Sequence, residues 1–294
     1  MSDAIRAEAP AKINLTLEVV ERLASGYHRI RSVFVTLPRL RDVVSVDIRP
    51  GTTRIAVTSN SLEVPCGEEN ICHRITARYL HETKTSARVS IQIEKNVPVA
   101  AGLGGGSSDA ATVLRVLNRH FAGRLSPREL SELALDIGRD IPFFLANVSA
   151  ALVTGTGEKV SAIECDPSLR VLVVNPGVAV STKLAYEKLS ARLWFMARGE
   201  RSDRSKRMVD ALRARALPQV YAGLYNDFEL VVEPAHGVIK EIKQALVALG
   251  AEAASMSGSG PTVFGLFASD EQLRVAEQTL REHYPSFVIA CGSH

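Results

Sequence analysis

The sequence predicts an α+β protein in two parts. Short β-like runs crowd the first third of the chain. Strand and helix patterns alternate through the rest, and a run of glycines and serines around Gly104 separates a strand pattern from a helix pattern. At 294 residues, 46% hydrophobic and 23% charged, the chain has the make-up of a soluble globular protein and room for two ordinary domains. The pattern changes between Gly155 and Ser161, which predicts domains at 1–158 and 159–294.

Branched and alternating apolar residues predict a first strand from Lys12 to Val20, ending in the turn Ala24-Ser25-Gly26. Ile30–Leu37, Val43–Ile48 and Thr53–Thr58 read as separate short strands. Ile71, Ile75, Arg78 and Tyr79 keep helical spacing, so Glu69–His81 reads as a helix with Asn70 near its start. Val89–Ile93 alternates as a strand, and a helix follows over Asp109–Arg119. Ser126-Pro127-Arg128-Glu129 carries the capping-box pattern, with proline at the first helical position, and opens a helix to about Gly138. Ala150–Val153 and Arg170–Val174 read as strands. Thr182 reads as the cap of a helix through Leu189. The basic segment Arg198–Arg215 reads as a solvated helix or loop. Val238–Leu249 is helical and stops at Gly250. Thr262–Phe267 is a strand, about Asp270–His283 a helix, and Phe287–Ala290 a last strand.

Composition excludes several function classes. A net charge of +3 is too small for a nucleic-acid surface and suits an anionic small substrate. Cys66, Cys72, Cys165 and Cys291 are scattered, without metal-ligand spacing, and read as reduced thiols of a cytoplasmic protein. Met1–Pro10 lacks a signal-peptide core, and no stretch approaches the about twenty apolar residues of a membrane span. The expected partner is a small molecule, neither nucleic acid nor membrane, with the chain a monomer or weak homodimer.

The stretch Pro98 to Ala111 carries the most chemistry. Glycine lets a backbone turn tightly and approach a ligand closely, because no Cβ intervenes. A helix start leaves N–H groups without intrahelical partners and carries partial positive charge. Gly102-Leu103-Gly104-Gly105-Gly106-Ser107-Ser108 ahead of a helix therefore reads as an anion site, and the usual anion is phosphate. It is not a Walker A loop, since no Gly-Lys-Ser/Thr closes it. It lacks the third glycine of a dinucleotide fingerprint.

The order of residues in this loop resembles the phosphate-binding loop of the GHMP kinase superfamily. Two further segments share the resemblance: Ala9-Pro10-Ala11-Lys12-Ile13-Asn14-Leu15 and Met256-Ser257-Gly258-Ser259-Gly260-Pro261-Thr262. Gly26-Tyr27-His28, Gly138-Arg139-Asp140-Ile141-Pro142-Phe143-Phe144, Asn175-Pro176-Gly177 and Asn226-Asp227-Phe228 are similar to the branch whose acceptor is a cytidine diphosphate derivative of methylerythritol. The resemblance implies an ATP-binding N-terminal domain of ribosomal S5 domain 2-like fold and a ferredoxin-like C-terminal domain. It places the active site in a cleft between them. It also implies phosphorylation of the acceptor's 2-hydroxyl by ATP in the non-mevalonate isoprenoid pathway. Another GHMP kinase with a different alcohol acceptor, or a binding module on the same scaffold, are the alternatives.

Residue roles follow from that resemblance. Asp140 matches the catalytic aspartate, and Lys12 the lysine beside it. Phosphoryl transfer needs the attacking hydroxyl placed and its proton accepted, while an ammonium holds an aspartate ionised and stabilises the transferring group. Asn14 is suited to hydrogen-bond substrate hydroxyls or phosphate, or to a strand-end role. His28 matches the residue on the cytosine edge, with the base stacked between Tyr27 and a second aromatic, here Tyr186. Pro98, Gly102, Leu103, Gly104, Gly105, Gly106, Ser107 and Ser108 match the phosphate loop. Asn70 and Lys95 match positions near the adenine and ribose. Asp109 stands where some relatives have asparagine. Mg²⁺ is expected with ATP. Ser107 or Ser108 is suited to approach it, and no acidic ligand is evident.

Overall fold

The computed structural model describes residues 4–165, 169–196 and 203–292. The chain folds into two compact units that interleave along the sequence. The first comprises the residues up to Ala11, Arg41–Val99 and Gly104–Asn147. The second comprises Lys12–Leu40, Ala100–Leu103 and the chain from Val148 on. Two long strands, β1 (Ile5–Arg22) and β2 (His28–Pro50), contribute residues to both.

In the first unit, β3 (Arg54–Ser59) runs parallel to β4 (Ala87–Glu94), and the far half of β2 pairs antiparallel with β4 from Val43↔Glu94 to Pro50↔Ala87. Ala87, Val89, Ile91 and Ile93 alternate into the interior, as the period-2 pattern of β4 predicts. Four helices pack together in this unit: α1 (Ile71–Glu82), α2 (Gly105–His120), α3 (Pro127–Leu135) and α4 (Ile141–Ala146). Ile75, Tyr79, Val113, Leu114, Leu117, Phe143 and Phe144 lose nearly all their exposure there. Each contributes about 1.5–3 kcal/mol if it is buried like an ordinary large apolar side chain. The Ser126–Glu129 capping box opens α3 with both reciprocal bonds in place.

In the second unit, the near half of β2 pairs with β5 (Ala150–Gly155), which pairs with β6 (Lys159–Ala162). Then follow β7 (Arg170–Asn175), α5 (Thr182–Met196), α6 (Arg204–Arg213), α7 (Leu217–Ala222), β8 (Tyr225–Asn226), α8 (Glu229–Val232) and α9 (Gly237–Ala248). The chain ends with β9 (Ala253–Met256), β10 (Val263–Phe267), α10 (Asp270–His283) and β11 (Val288–Cys291). β8 lies parallel to β1 at Thr16↔Tyr225 and Leu17↔Asn226. The strands β11-β7-β10-β9 form an antiparallel sheet in that order. With helices between β7 and β9 and between β10 and β11, this is the ferredoxin-like β-α-β-β-α-β arrangement. Leu172, Val174, Ile239, Ile242, Leu246, Val263, Ala276 and Leu280 fill its core.

Several expectations need correction. Ile30–Leu37 and Val43–Ile48 belong to one strand, not two. Pro38 lies between the β5 register, which ends at Val35↔Ala150, and the β4 register, which begins at Val43↔Glu94. Its missing N–H deletes no bond of either ladder. α2 begins at Gly105, four residues before the expected Asp109, so it takes in two glycines. Ser181, not Thr182, caps α5: its Oγ accepts from the Leu184 amide at 3.3 Å. The basic segment is not merely solvated. Residues 198–202 lie outside the described residues, but α6 buries Met208, Val209, Ala211 and Leu212. Glu18 takes both the amide (3.0 Å) and the hydroxyl (2.6 Å) of Ser205 at the start of that helix. Among the described residues no helix is long and apolar enough to cross a membrane.

Candidate active site

The three motif segments meet around Gly102. The Lys12 amide donates to the Leu103 carbonyl at 2.9 Å, which ties β1 to the loop. The Gly102 carbonyl accepts the Lys12 ammonium at 3.1 Å and the Ser257 hydroxyl at 2.9 Å. Gly102 has φ +78°, and a Cβ there would sit 2.2 Å from the Ser257 carbonyl oxygen. Only glycine fits both the left-handed backbone and that approach. Asn226 closes the turn from the other side, its Nδ2 donating to the Met256 carbonyl (2.6 Å) and the Gly258 carbonyl (2.8 Å).

Asn14 is the hub of this cluster. Its Oδ1 accepts from the Lys12 ammonium (2.8 Å) and the Gly258 amide (2.8 Å), and its Nδ2 donates to Ser32 Oγ (2.9 Å). The Ser32 hydroxyl in turn donates a hydrogen bond to the Thr16 carbonyl. These partners fix the amide orientation, because the oxygen faces two donors and the nitrogen faces an acceptor. Lys12 lies 4.7 Å from the Phe34 ring centroid, a cation–π distance. Lys12 and Asn14 are 3% and 1% exposed, so the ammonium is held by its hydrogen bonds and the ring, not by bulk water.

The first unit carries the other half of the loop. Gly104, at φ +71°, precedes α2, and among the described residues no side chain caps its first turn. The leading amides of α2 are thus left for a ligand, as in anion-binding helix starts. The Ser108 hydroxyl is buried with no hydrogen-bond partner among the described residues. Beneath that turn, the Lys95 ammonium pairs with Asp42 and, at 3.0 Å, with Asp109. Burial pushes the Asp109 carboxyl up to about 7, with Asp42 adding to the rise and Lys95 opposing it. Asn70 is 3% exposed and caps α1: its Oδ1 accepts from the Cys72 amide at 2.7 Å, and its Nδ2 donates to the Pro65 carbonyl at 2.6 Å. Asp140 stands half-buried at the start of α4 and spends no side-chain bond on capping that helix.

Tyr27, His28 and Tyr186 share the second unit. The His28 ring stacks on Tyr186 with centroids 4.6 Å apart, and Tyr186 meets Phe228 edge-on at 4.7 Å. Ser190 donates its hydroxyl proton to the Tyr186 carbonyl at 2.8 Å, so it must accept from His28 Nε2 at 2.5 Å. That assigns the Nε2–H tautomer and leaves Nδ1 as the acceptor nitrogen. Burial first, and Arg22 second, hold His28 below its ordinary value of 6.5. Tyr27 keeps 52% of its surface exposed.

The expected residues therefore divide. The second unit brings Lys12, Asn14, Gly102, Leu103 and the Ser257-Gly258 turn together, and separately His28 with Tyr186. The first unit brings Lys95 to Gly105 and Asp109, with Asn70 as a helix cap. Lys95, expected near the ribose, has its ammonium engaged by two carboxylates and a side chain only 6% exposed. Sequence reasoning missed Ser32, Phe34, Asp42 and Ser190. Only Ser190 carried a usable signal, since it lies one helical turn after Tyr186.

Comparison with known proteins places the chain among relatives. The model of the GHMP kinases N terminal domain matches residues 70–155, and that of the GHMP kinases C terminal matches residues 208–286. The chain is 42% identical over 283 residues to a 4-diphosphocytidyl-2-C-methyl-D-erythritol kinase of Geobacter metallireducens, covering 96% of each. It is 35% identical to the Clostridioides difficile protein of the same name, covering 99% of this chain and 96% of that one. A crystal structure of 4-(cytidine 5'-diphospho)-2C-methyl-D-erythritol kinase superposes with a TM-score of 0.79 at 30% identity, covering 98% of each chain. Homoserine kinase from Cytophaga hutchinsonii, at 19% identity and a TM-score of 0.73 over 100% of this chain and 95% of that one, shares the fold.

Proposed function

This chain belongs to the GHMP kinase family, among its 4-diphosphocytidyl-2-C-methyl-D-erythritol kinases, and we propose that it moves the γ-phosphoryl group of ATP to the 2-hydroxyl of that cytidyl diphosphate. The observation that carries the acceptor choice is the His28–Ser190–Tyr186 arrangement. A neutral histidine with Nε2–H committed to Ser190 presents Nδ1 as an acceptor, which suits the 4-amino group of cytosine. The exposed Tyr27 ring supplies a stacking face.

At the other end of the reaction, the leading amides of α2 and the glycines before it receive the triphosphate. Mg²⁺ would neutralise charge on that triphosphate when bound. Ser107 and Ser108 are its candidate ligands, and the Ser108 hydroxyl, buried without a hydrogen-bond partner among the described residues, fits the role. Asp140 accepts the proton of the 2-hydroxyl as its oxygen bonds to phosphorus, and ADP departs with the electrons of the broken bond. Lys12, fixed by Asn14 and the Gly102 carbonyl, stabilises the charge that develops on the transferring group. Turnover with a panel of acceptors tests this reading. The cytidyl diphosphate should give the highest kcat/KM, and mevalonate or homoserine as the better acceptor would overturn it.

A further inference from the structure

Asp42 lies more than fifty residues before the glycine loop and belongs to none of the motif segments. Its carboxylate is fully buried at the middle of β2. One oxygen, Oδ1, accepts two consecutive backbone amides, Asn96 at 2.6 Å and Val97 at 2.8 Å, just ahead of the loop. The other, Oδ2, accepts the Lys95 ammonium, which reaches on to Asp109 of α2 at 3.0 Å. The ammonium lies directly under the loop's far side: a Cβ on Gly105 would stand 2.8 Å from Lys95 Nζ and 3.0 Å from Val97 Cγ1.

We propose that Asp42 is a positioning residue for ATP, clasping the chain before the loop by two amides and the helix after it through Lys95. The inference rests on the reading of this loop as the ATP site. Two carboxylates share a single ammonium in a place that is nearly dry. Such a cluster carries a large desolvation cost and is a poor source of stability by itself. It does set geometry, because each partner has its direction fixed. The leading amides of α2 can meet a phosphate only if the helix start is held at one distance from the strand end before it, and Asp42 holds the strand end directly and the helix through Lys95.

The test uses Asp42→Asn and Asp42→Glu in the full chain. Asparagine keeps an oxygen for the amides but turns N–H groups toward the Lys95 ammonium. Glutamate keeps the charge and shifts it by one methylene. Both should raise the KM for ATP by about tenfold or more, the scale of a lost charge-assisted bond. The kcat at saturating ATP should stay within about threefold, and the KM for the cytidyl acceptor should not change. A KM for ATP equal to the parent's in either folded variant overturns the proposal, as does a fall in kcat alone. Parent protein without measurable ATP turnover would instead count against the proposed function. Amide exchange in the parent needs no variant. The clasp requires Asn96 and Val97 to be protected before nucleotide is added, and exchange at the rate of an open loop refutes it.

Discussion

Gly102→Ala tests the interlock of the three motif segments. The new methyl would stand 2.2 Å from the Ser257 carbonyl oxygen and 3.2 Å from that of Gly260. Both neighbours are backbone, so neither can swing aside. Two costs add. A non-glycine residue at φ +78° costs about 1–2 kcal/mol, and forcing a packed region apart costs about 1–3 kcal/mol. The expected loss is thus about 2–5 kcal/mol, a large part of the roughly 5–15 kcal/mol that holds a domain folded. Gly26→Ala separates the two, since Gly26 has φ +85° and nothing within 4 Å of its Cβ position. It should lose only the conformational part. Both glycines lie in the second unit and report on the same transition. Urea unfolding of parent and variants gives the difference as a shift in midpoint at constant slope. Equal losses for the two alanines would refute a tight contact between Gly102 and the Ser257 turn.

Three further outcomes follow from the site. Asp140→Asn should keep the fold and both affinities while kcat falls by about 10²–10⁴, the usual share of a general base; single-turnover kinetics at saturating substrates check it, and Lys12→Met combined with it should cost less than the product of the two. Because burial and Arg22 hold His28 below 6.5, its neutral form predominates at pH 7. Acidification through its lowered value should protonate Nδ1 and raise the acceptor's KM, a dependence that His28→Ala should flatten. Asp109 has the opposite sign. Its folded value, raised from 3.8 to about 7, makes the native state hold a proton that the unfolded chain releases. Its contribution to stability is complete below 3.8, declines as pH rises, and is gone above about 7. Denaturation of the parent against Asp109→Asn from pH 5 to pH 8 should show the parent's relative stability falling.

Local chemistry made much of this molecule legible. The capping box at Ser126, the period-2 burial of β4 and the span of α10 follow from spacing and caps alone. β1 shows where such reading stops. Lys12, Asn14, Thr16 and Glu18 occupy alternate positions and would ordinarily mark a solvated face, yet none is more than 6% exposed. Each is satisfied by a residue distant in sequence: Gly102, Gly258, Ser205 or Ser32. Periodicity records which side of a strand a residue occupies, not what covers it. The same limit hid Asp42, a lone acid in a strand pattern whose partners lie beyond residue 94. Gly105 and Gly106 read as part of the anion-binding loop, although α2 begins at Gly105 and glycine is a poor helix former. Lys95 and Val97 packed against Gly105 supply what propensity could not.

Phosphorus NMR of the product shows which hydroxyl has received the phosphoryl group. The protein would be incubated with ATP, Mg²⁺ and 4-diphosphocytidyl-2-C-methyl-D-erythritol. The 2-position is a tertiary carbon without hydrogen, so phosphate attached there shows no three-bond coupling to a proton. One new phosphomonoester signal, uncoupled, should grow in step with ADP. A doublet or triplet would place the phosphate on a secondary or primary hydroxyl. ADP without any new monoester would contradict the kinase assignment itself.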